Sequence, residues 1–129
     1  MKGYKFELNG EIYTLCYTGE AFFKIDEIVG DKEFSEAFTL TTGEGFKRLC
    51  KAAAILTEQG ELVRQYYGYP RGETLDAEEL TLILSPVDRV ALYGAVIDAI
   101  LLGLHREVAD KQKEVSLTRQ RMLKKKESD

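Results

Sequence analysis

The alternation of apolar and polar residues at the start of the chain predicts a β-hairpin. Apolar and charged side chains alternate over residues 4–8, and a second apolar-rich run covers residues 11–17. Asn9 and Gly10 separate the two runs, and this pair is strongly favoured in tight turns in which both residues take positive φ. Because a two-stranded hairpin is only marginally stable alone, we expect its apolar face to pack on helices from the rest of the chain.

Helical periodicity follows the hairpin. Apolar residues recur at helical spacing from Glu20 to Val29, and Gly30 is the type of residue that ends such a helix. A further short turn of helix is predicted at residues 33–38. Thr41 and Glu44 have the spacing of a capping box, which predicts the start of a longer helix there.

This longer helix has one apolar face, with charged side chains outside it. Gln59 and Gly60 are expected to interrupt or end the helix, because glycine is a poor helix former. A short helix is then predicted at residues 61–67, and the glycines and proline of residues 68–72 predict a loop. The apolar face consists of Phe46, Leu49, Cys50, Ala53 and Leu56.

Two further helix starts are marked by capping residues. Asp76 and Glu79 have capping-box spacing before a short apolar run. Ser85 precedes Pro86, and proline is well suited to the first position of a helix because it lacks an N–H donor. The second of these starts predicts a long C-terminal helix.

The long helix is strongly apolar between residues 90 and 104, where Asp98 is the single charged residue. A run of about 15 residues is shorter than the roughly 18 that a membrane span requires. We interpret it as a central helix that is contacted on most sides. Asp98 is interpreted as an exposed carboxylate, with an ion pair to Arg89 or another basic residue as the first alternative and a catalytic role as the second.

These elements predict an α+β fold that is mainly helical. An N-terminal antiparallel β-hairpin is expected to pack on a small helical bundle with a long C-terminal helix. Residues 1–108 are interpreted as a single folded domain, and residues 109–129 as a charged helical extension or a disordered tail. The net charge of −4 divides into −7 for the first segment and +3 for the second.

Composition restricts the class of protein. With 129 residues, of which 44% are hydrophobic and 31% charged, the chain resembles an ordinary soluble domain. The first residues do not form an apolar run, so we expect no signal peptide and no membrane association. Cys16 and Cys50 suggest reduced thiols in a cytoplasm rather than a disulfide framework. The acidic balance argues against a nucleic-acid partner.

The sequence offers little for catalysis, so we expect no enzyme. His105 is the single histidine, and neither cysteine has a metal-ligand spacing such as C-x-x-C. Gly43 and Gly45 precede a helix but lack the later residues of a phosphate-binding loop. We therefore predict no catalytic residues, no metal ligands and no cofactor.

Two segments are candidates for binding a protein partner. Tyrosine and arginine around a loop are residue types enriched in interfaces, although tyrosines that pack beneath the loop are the simpler alternative. The long helix from Val87 has more apolar surface than one stripe requires, so part of it could bind a partner. The candidate partner-binding residues are Tyr66, Tyr67, Tyr69, Arg71, Val87 and Val90.

The order of the elements resembles the tail assembly chaperones of long-tailed phages and of prophages in Gram-positive bacteria. The resemblance covers roughly residues 4–108 and ends before the charged tail. It rests on soft patterns of hydrophobicity rather than on catalytic signatures. The segments that carry it are residues 6–15, 20–29, 49–54, 84–92 and 95–104.

The resemblance implies a protein of the host bacterial cytoplasm that is absent from the mature virion. It implies binding to the tape measure protein, recruitment of the tail tube protein and, in many members, a programmed frameshift near the end of the gene. Self-association is left open. Lys124, Lys125 and Lys126 are consistent with a slippery, A-rich sequence, and a solvated basic tail is the alternative.

Three other functions remain open from the sequence. The first is a phage structural component, such as a minor tail or head–tail joining protein. The second is a small nucleic-acid-binding regulator that uses short helices and the basic tail. The third is a small enzyme, which would have to rely on His105, Asp98 or the two cysteines.

Overall fold

A computed structural model describes residues 3–105 and confirms an α+β, mainly helical fold with an N-terminal antiparallel hairpin. The predicted elements follow one another in the expected order, except that no separate helix covers residues 61–67. The strands are β1 (Tyr4–Leu8) and β2 (Glu11–Leu15), and the helices are α1 (Gly19–Val29), α2 (Phe34–Ala37), α3 (Gly43–Tyr66), α4 (Ala77–Ile83) and α5 (residues 86–105).

The hairpin turns where the sequence predicts it. Asn9 and Gly10 both have positive φ, at 50° and 83°. β2 ends at Leu15 rather than at residue 17, because the chain leaves the sheet to join α3. The N–H of Cys16 donates to the carbonyl oxygen of Leu56 on α3 at 3.1 Å instead of to a neighbouring strand.

Glycine and threonine set the boundaries of the helices in the first half. Gly30 ends α1 with a φ of 61°, and its N–H donates to the carbonyl of Asp26 at 2.8 Å. The N-cap of α3 is Thr42, whose hydroxyl accepts from the N–H of Gly45 at 3.1 Å. The prediction that Thr41 caps this helix is therefore wrong by one residue.

The prediction that Gln59 and Gly60 interrupt or end the helix is also wrong. α3 continues through both residues to Tyr66, so the separate short helix predicted at residues 61–67 is the last part of α3. The reason is a close approach to β2. A Cβ on Gly60 would lie 1.9 Å from the carbonyl oxygen of Thr14, so this position requires a residue without a side chain.

The capping predictions in the second half are confirmed. Asp76 caps α4 by accepting from the N–H groups of Glu78 and Glu79 at 2.9 and 3.1 Å. Before α5, the N–H of Asp88 donates to the Ser85 hydroxyl at 3.1 Å, and the N–H of Ser85 donates to the Asp88 carboxylate at 3.2 Å. These exchanges satisfy donors that the helix itself leaves unpaired.

α3 lies at the centre of the fold and packs against β2, α1, α2 and α4. α5 runs in the same direction as α3. The guanidinium of Arg89 lies 5.3 Å from the centre of the Phe46 ring, and Gly103 lies against Tyr17, close to the last turns of α3. The largest fully buried side chains include Phe38, Leu15, Ile25, Leu49, Leu56, Leu80, Leu92 and Ile100.

Some predictions fall outside residues 3–105. These are the extension or tail at residues 109–129 and the lysines Lys124, Lys125 and Lys126. Within the described range, no helix is both long and apolar enough to cross a membrane.

Candidate partner-binding surfaces

The first candidate segment forms an exposed aromatic surface at the end of α3. Tyr66, Tyr67 and Tyr69 are 84%, 60% and 60% exposed, so none of them packs beneath the loop. Tyr66 and Tyr67 meet edge to face with ring centres 5.1 Å apart. Arg71 follows in the same exposed loop. We call these four residues the tyrosine surface.

A buried ion pair holds this loop against α3. The Glu61 side chain is 3% exposed and accepts from the guanidinium of Arg64, at 2.8 Å for Oε2. The N–H of Gly72 donates to Glu61 Oε1 at 2.6 Å, which fixes the far side of the loop. Arg64 also lies 5.5 Å from the centre of the Tyr69 ring. The Glu61 carboxylate thus connects Arg64, which lies beside Tyr69, with Gly72 at the far side of the loop.

The environment of Glu61 favours its ionised form. Burial alone would raise the pKa of Glu61, but hydrogen bonds from Arg64 and from the N–H of Gly72, together with the charges of Arg64 and Lys5, lower it overall. Both carboxylate oxygens accept hydrogen bonds from Arg64 or Gly72. Glu61 is therefore a structural group, and the sequence analysis missed it.

A groove of about 300 Å³ lies between the start of α1 and the end of α3, next to Tyr66 and Tyr67. We call it the α1–α3 groove. The Thr18 hydroxyl caps α1 by accepting from the N–H of Ala21 at 3.1 Å, and it donates to Gln59 Oε1 at 2.7 Å. The groove is lined by Thr18, Glu20, Gln59, Leu62, Val63, Tyr66 and Tyr67.

Gln59 is an unusual component of this groove, because it is a long polar side chain that is only 4% exposed. Its amide nitrogen forms no well-aligned hydrogen bond with any residue between 3 and 105. The pKa of Glu20 is lowered mainly by Lys24, whose Nζ lies 3.2 Å from Oε1, and also by the nearby amide of Gln59. The sequence does not reveal this site, because Gln59 lies among other polar residues of α3.

The second candidate segment forms a separate apolar surface. Val87 and Val90 are 78% and 59% exposed and lie one turn apart on α5. Leu82 and Ile83, at the end of α4, are 86% and 44% exposed. We call these four residues the valine surface.

The structure does not bring the two candidate surfaces together. Arg89, between the two valines, lies over Phe46 near the start of α3, whereas Tyr66 is the last residue of α3. Twenty residues of helix separate Phe46 from Tyr66, a distance of about 30 Å at 1.5 Å per residue. The protein therefore presents two distinct surfaces at opposite ends of its central helix.

The residues considered for catalysis differ in their exposure. Cys16 and Cys50 are both buried, whereas His105 is exposed. Asp98 is exposed, and the pKa of Tyr4 is raised by burial and then by the charge and hydrogen bond of Asp98. Within residues 3–105, no group of histidine, cysteine and acidic side chains could hold a metal ion.

The burial of the two thiols leads to a testable prediction. Burial raises the pKa of Cys50 to about 11 and also raises that of Cys16. Because the thiolate is the reactive form, we expect neither thiol to react with a maleimide in mildly alkaline buffer while the protein is folded. Both should react once denaturant is added, and mass spectrometry counts the adducts. Rapid labelling of the folded protein would contradict the buried positions.

These observations define a small α+β domain whose distinguishing features are two exposed surfaces and a groove. Comparisons of the chain with protein-family models, with curated proteins and with solved structures give no match in any of the three.

Proposed function

We propose that this chain is a tail assembly chaperone of a phage or prophage. In this proposal it binds the tape measure protein and helps to recruit tail tube subunits in the cytoplasm of the host bacterium, and it is not retained in the virion. The observation that carries the proposal is the separation of the tyrosine surface from the valine surface. A protein that joins two partners needs a separate surface for each partner, so that both can bind at the same time.

The chemistry of each surface supports a particular kind of contact. Tyr66 and Tyr67 stand beside the α1–α3 groove, which has room for one or two side chains of a helical client. Exposed tyrosines provide large contact areas at low cost in side-chain entropy, and an apolar helix face fits such a groove. We therefore assign the tape measure protein to the tyrosine surface.

The valine surface is suited to a second partner. Val87 and Val90 are one turn apart on α5, and Leu82 and Ile83 are exposed apolar side chains at the end of the preceding helix. The four residues of this surface are aliphatic rather than aromatic. We assign it to the tail tube protein, which the tape measure protein must meet during assembly.

The proposal predicts that the two surfaces can be inactivated separately. The full chain is co-expressed with the tape measure and tube proteins encoded beside its gene, and binding is measured after purification. We expect Tyr66→Ser to weaken binding to the tape measure protein about tenfold or more, the effect of losing one interface anchor. Val87→Ser should weaken binding to the tube protein instead. Thermal unfolding should be nearly unchanged, because both side chains are exposed.

Ile12→Ser is the matched control, because Ile12 is an apolar side chain 68% exposed on β2 and outside both surfaces. Equal losses in all three variants, or no loss in any, would contradict the proposal. Presence of the chain in purified virions would favour a minor tail or head–tail joining protein. Salt-sensitive binding to DNA would favour a regulator. The codons of Lys124, Lys125 and Lys126 test the frameshift hypothesis.

A further inference from the structure

We propose that the outer edge of β1 pairs with β1 of a second copy of the chain, in antiparallel orientation and with Phe6 opposite Phe6. The two hairpins then form one continuous sheet about a two-fold axis. The pairing uses neither the tyrosine surface nor the valine surface, so it does not depend on the proposed function. It rests on the outer edge of β1 and on the charges of Lys5 and Glu7.

β1 is an edge strand, whereas the outer edge of β2 is covered by α3. Among residues 3–105, β2 is the only strand that pairs with β1. On the far side of β2, the N–H of Cys16 donates to the carbonyl oxygen of Leu56, and Gly60 lies against the carbonyl oxygen of Thr14. A strand edge with unpaired backbone groups is a template for pairing with another strand, and β1 provides such an edge.

The register of the hairpin determines which backbone groups of β1 point outward. Asn9 and Gly10 form a two-residue turn, and the residues that flank such a turn form a hydrogen-bonded pair. Because hydrogen-bonded and other pairs alternate, the N–H and C=O groups of Lys5 and Glu7 point away from β2. Thr14 lies opposite Lys5, and its carbonyl oxygen points to α3, as this alternation requires. Both Lys5 and Glu7 are exposed.

The charges of these two residues select one register for the pairing. If Lys5 lay opposite Lys5, or Glu7 opposite Glu7, like charges would face each other and destabilise the dimer. With Phe6 at the centre, Lys5 of each copy lies opposite Glu7 of the other, with Cβ atoms about 5 Å apart. The same two residues exchange both of their backbone hydrogen bonds across the axis. Lys5 Nζ donates to Thr14 Oγ1 at 2.6 Å, and an ammonium group has three donors, so Lys5 can still pair with Glu7.

This register also keeps the apolar face of the sheet continuous. Phe6 and Leu8 are buried and Tyr4 is partly buried. Residues directly opposite each other in an antiparallel pair lie on the same face, so these side chains of both copies lie on one side of the sheet. Charged side chains on an edge strand usually prevent pairing, but the opposite signs of Lys5 and Glu7 make this edge complementary to itself. Because the strand is short, we expect a weak dimer that forms at high protein concentration.

Exchange of the charges in the full chain tests the proposal. Association is measured by analytical ultracentrifugation over a wide range of protein concentration, and we expect the parent chain to dimerise. Lys5→Glu and Glu7→Lys should each be monomeric, because each places like charges opposite one another. An equimolar mixture of these two variants should dimerise again, since each copy then meets the opposite charge. The variant that carries both substitutions should dimerise by itself.

Glu11→Lys is the matched control, because it makes the same change of charge as Glu7→Lys at an exposed position of β2. It should dimerise like the parent chain, and circular dichroism should show that all variants are folded. A parent chain that stays monomeric at every concentration would overturn the proposal. So would dimers that persist in both single variants, or a mixture and a double variant that both stay monomeric.

Amide hydrogen exchange reports on the edge of β1 itself. In dilute parent protein, the amides of Lys5 and Glu7 should exchange rapidly, whereas those of Phe6 and Leu8 are protected by β2. Exchange at Lys5 and Glu7 should slow by about tenfold once nine-tenths of the copies are paired, because only the unpaired fraction exchanges. Slow exchange at both residues in dilute solution would mean that the edge is already covered. Either that result or exchange that does not depend on concentration would overturn the proposal.

Discussion

Replacing Gly60 with alanine is expected to destabilise the folded protein by about 3 kcal/mol, the upper part of the range for overpacking a well-packed interior. A Cβ at this position would lie 1.9 Å from the carbonyl oxygen of Thr14 and 2.6 Å from its carbonyl carbon. Both are backbone atoms of β2, which pairs with β1, so the strand and α3 would have to move apart. Alanine is the better helix former by about 1 kcal/mol, which is too little to offset the clash.

The measurement is urea unfolding of the full chain, followed by circular dichroism. Gly94→Ala is the matched control, because Gly94 lies inside α5 and nothing is within 4 Å of an added Cβ there. That variant should gain about 0.5–1 kcal/mol from helix propensity alone. If both alanine variants changed the free energy of unfolding by the same amount and sign, the close approach of α3 and β2 would be refuted.

Gly60 also shows where prediction from sequence reaches its limit. Apart from the break expected at Gly60, periodicity located the helices. Asn9–Gly10, Asp76 and Ser85 were correctly assigned, because each depends on contacts within a few residues. The role of Gly60 depends on Thr14, which is far away in the sequence. The low helix propensity of glycine suggested a break in α3. The helix is in fact continuous, and glycine is required there because the backbone of Thr14 lies against it.

The candidate surfaces also combine features that depend on single residues with features that depend on contacts distant in sequence. Residue type was enough to select the tyrosines and valines, and all of them are exposed. The α1–α3 groove was missed because it depends on the bond between Thr18 and Gln59, which are 41 residues apart. The separation of the two surfaces was missed as well, because it depends on α5 running alongside α3, as shown by Arg89 over Phe46.

The Glu61–Arg64 pair can be broken from either side, and the free energy of unfolding is expected to fall further when Arg64 is replaced than when Glu61 is replaced. Arg64→Met should be the more destabilising change, because it leaves a buried carboxylate that has lost its countercharge. Glu61→Gln should cost about 1–2 kcal/mol, because glutamine keeps an oxygen for the N–H of Gly72 and a side-chain volume that fits. The Arg64 side chain is 30% exposed against 3% for Glu61, so the orphaned guanidinium can be solvated whereas the orphaned carboxylate cannot.

Urea unfolding of both variants tests this order, and amide hydrogen exchange at Gly72 reports on the loop directly. Exchange should be faster in Glu61→Gln than in the parent chain, since a neutral amide oxygen is a weaker acceptor than a carboxylate. Lys24→Met is the comparison for an exposed pair, because Lys24 and Glu20 form an ion pair with both side chains substantially exposed. It should lower the free energy of unfolding much less than Arg64→Met does, because water screens an exposed pair. An equal cost for Lys24→Met and Arg64→Met would contradict the buried character of Glu61.

At acid pH, the folded protein should no longer be more stable with glutamate than with glutamine at position 61. The pKa of Glu61 is lower in the folded protein than its ordinary value of 4.5, so the unfolded chain takes up the proton first as the pH falls. The contribution of the charged pair is therefore fully present above the unfolded-state value and is lost as the pH falls through the lower, folded-state value. Urea midpoints of the parent chain and Glu61→Gln should converge in acid and differ at neutral pH. If the difference between the two urea midpoints grew on acidification, folding would raise the pKa of Glu61. The effect of burial on this pKa would then exceed that of the hydrogen bonds from Arg64 and Gly72.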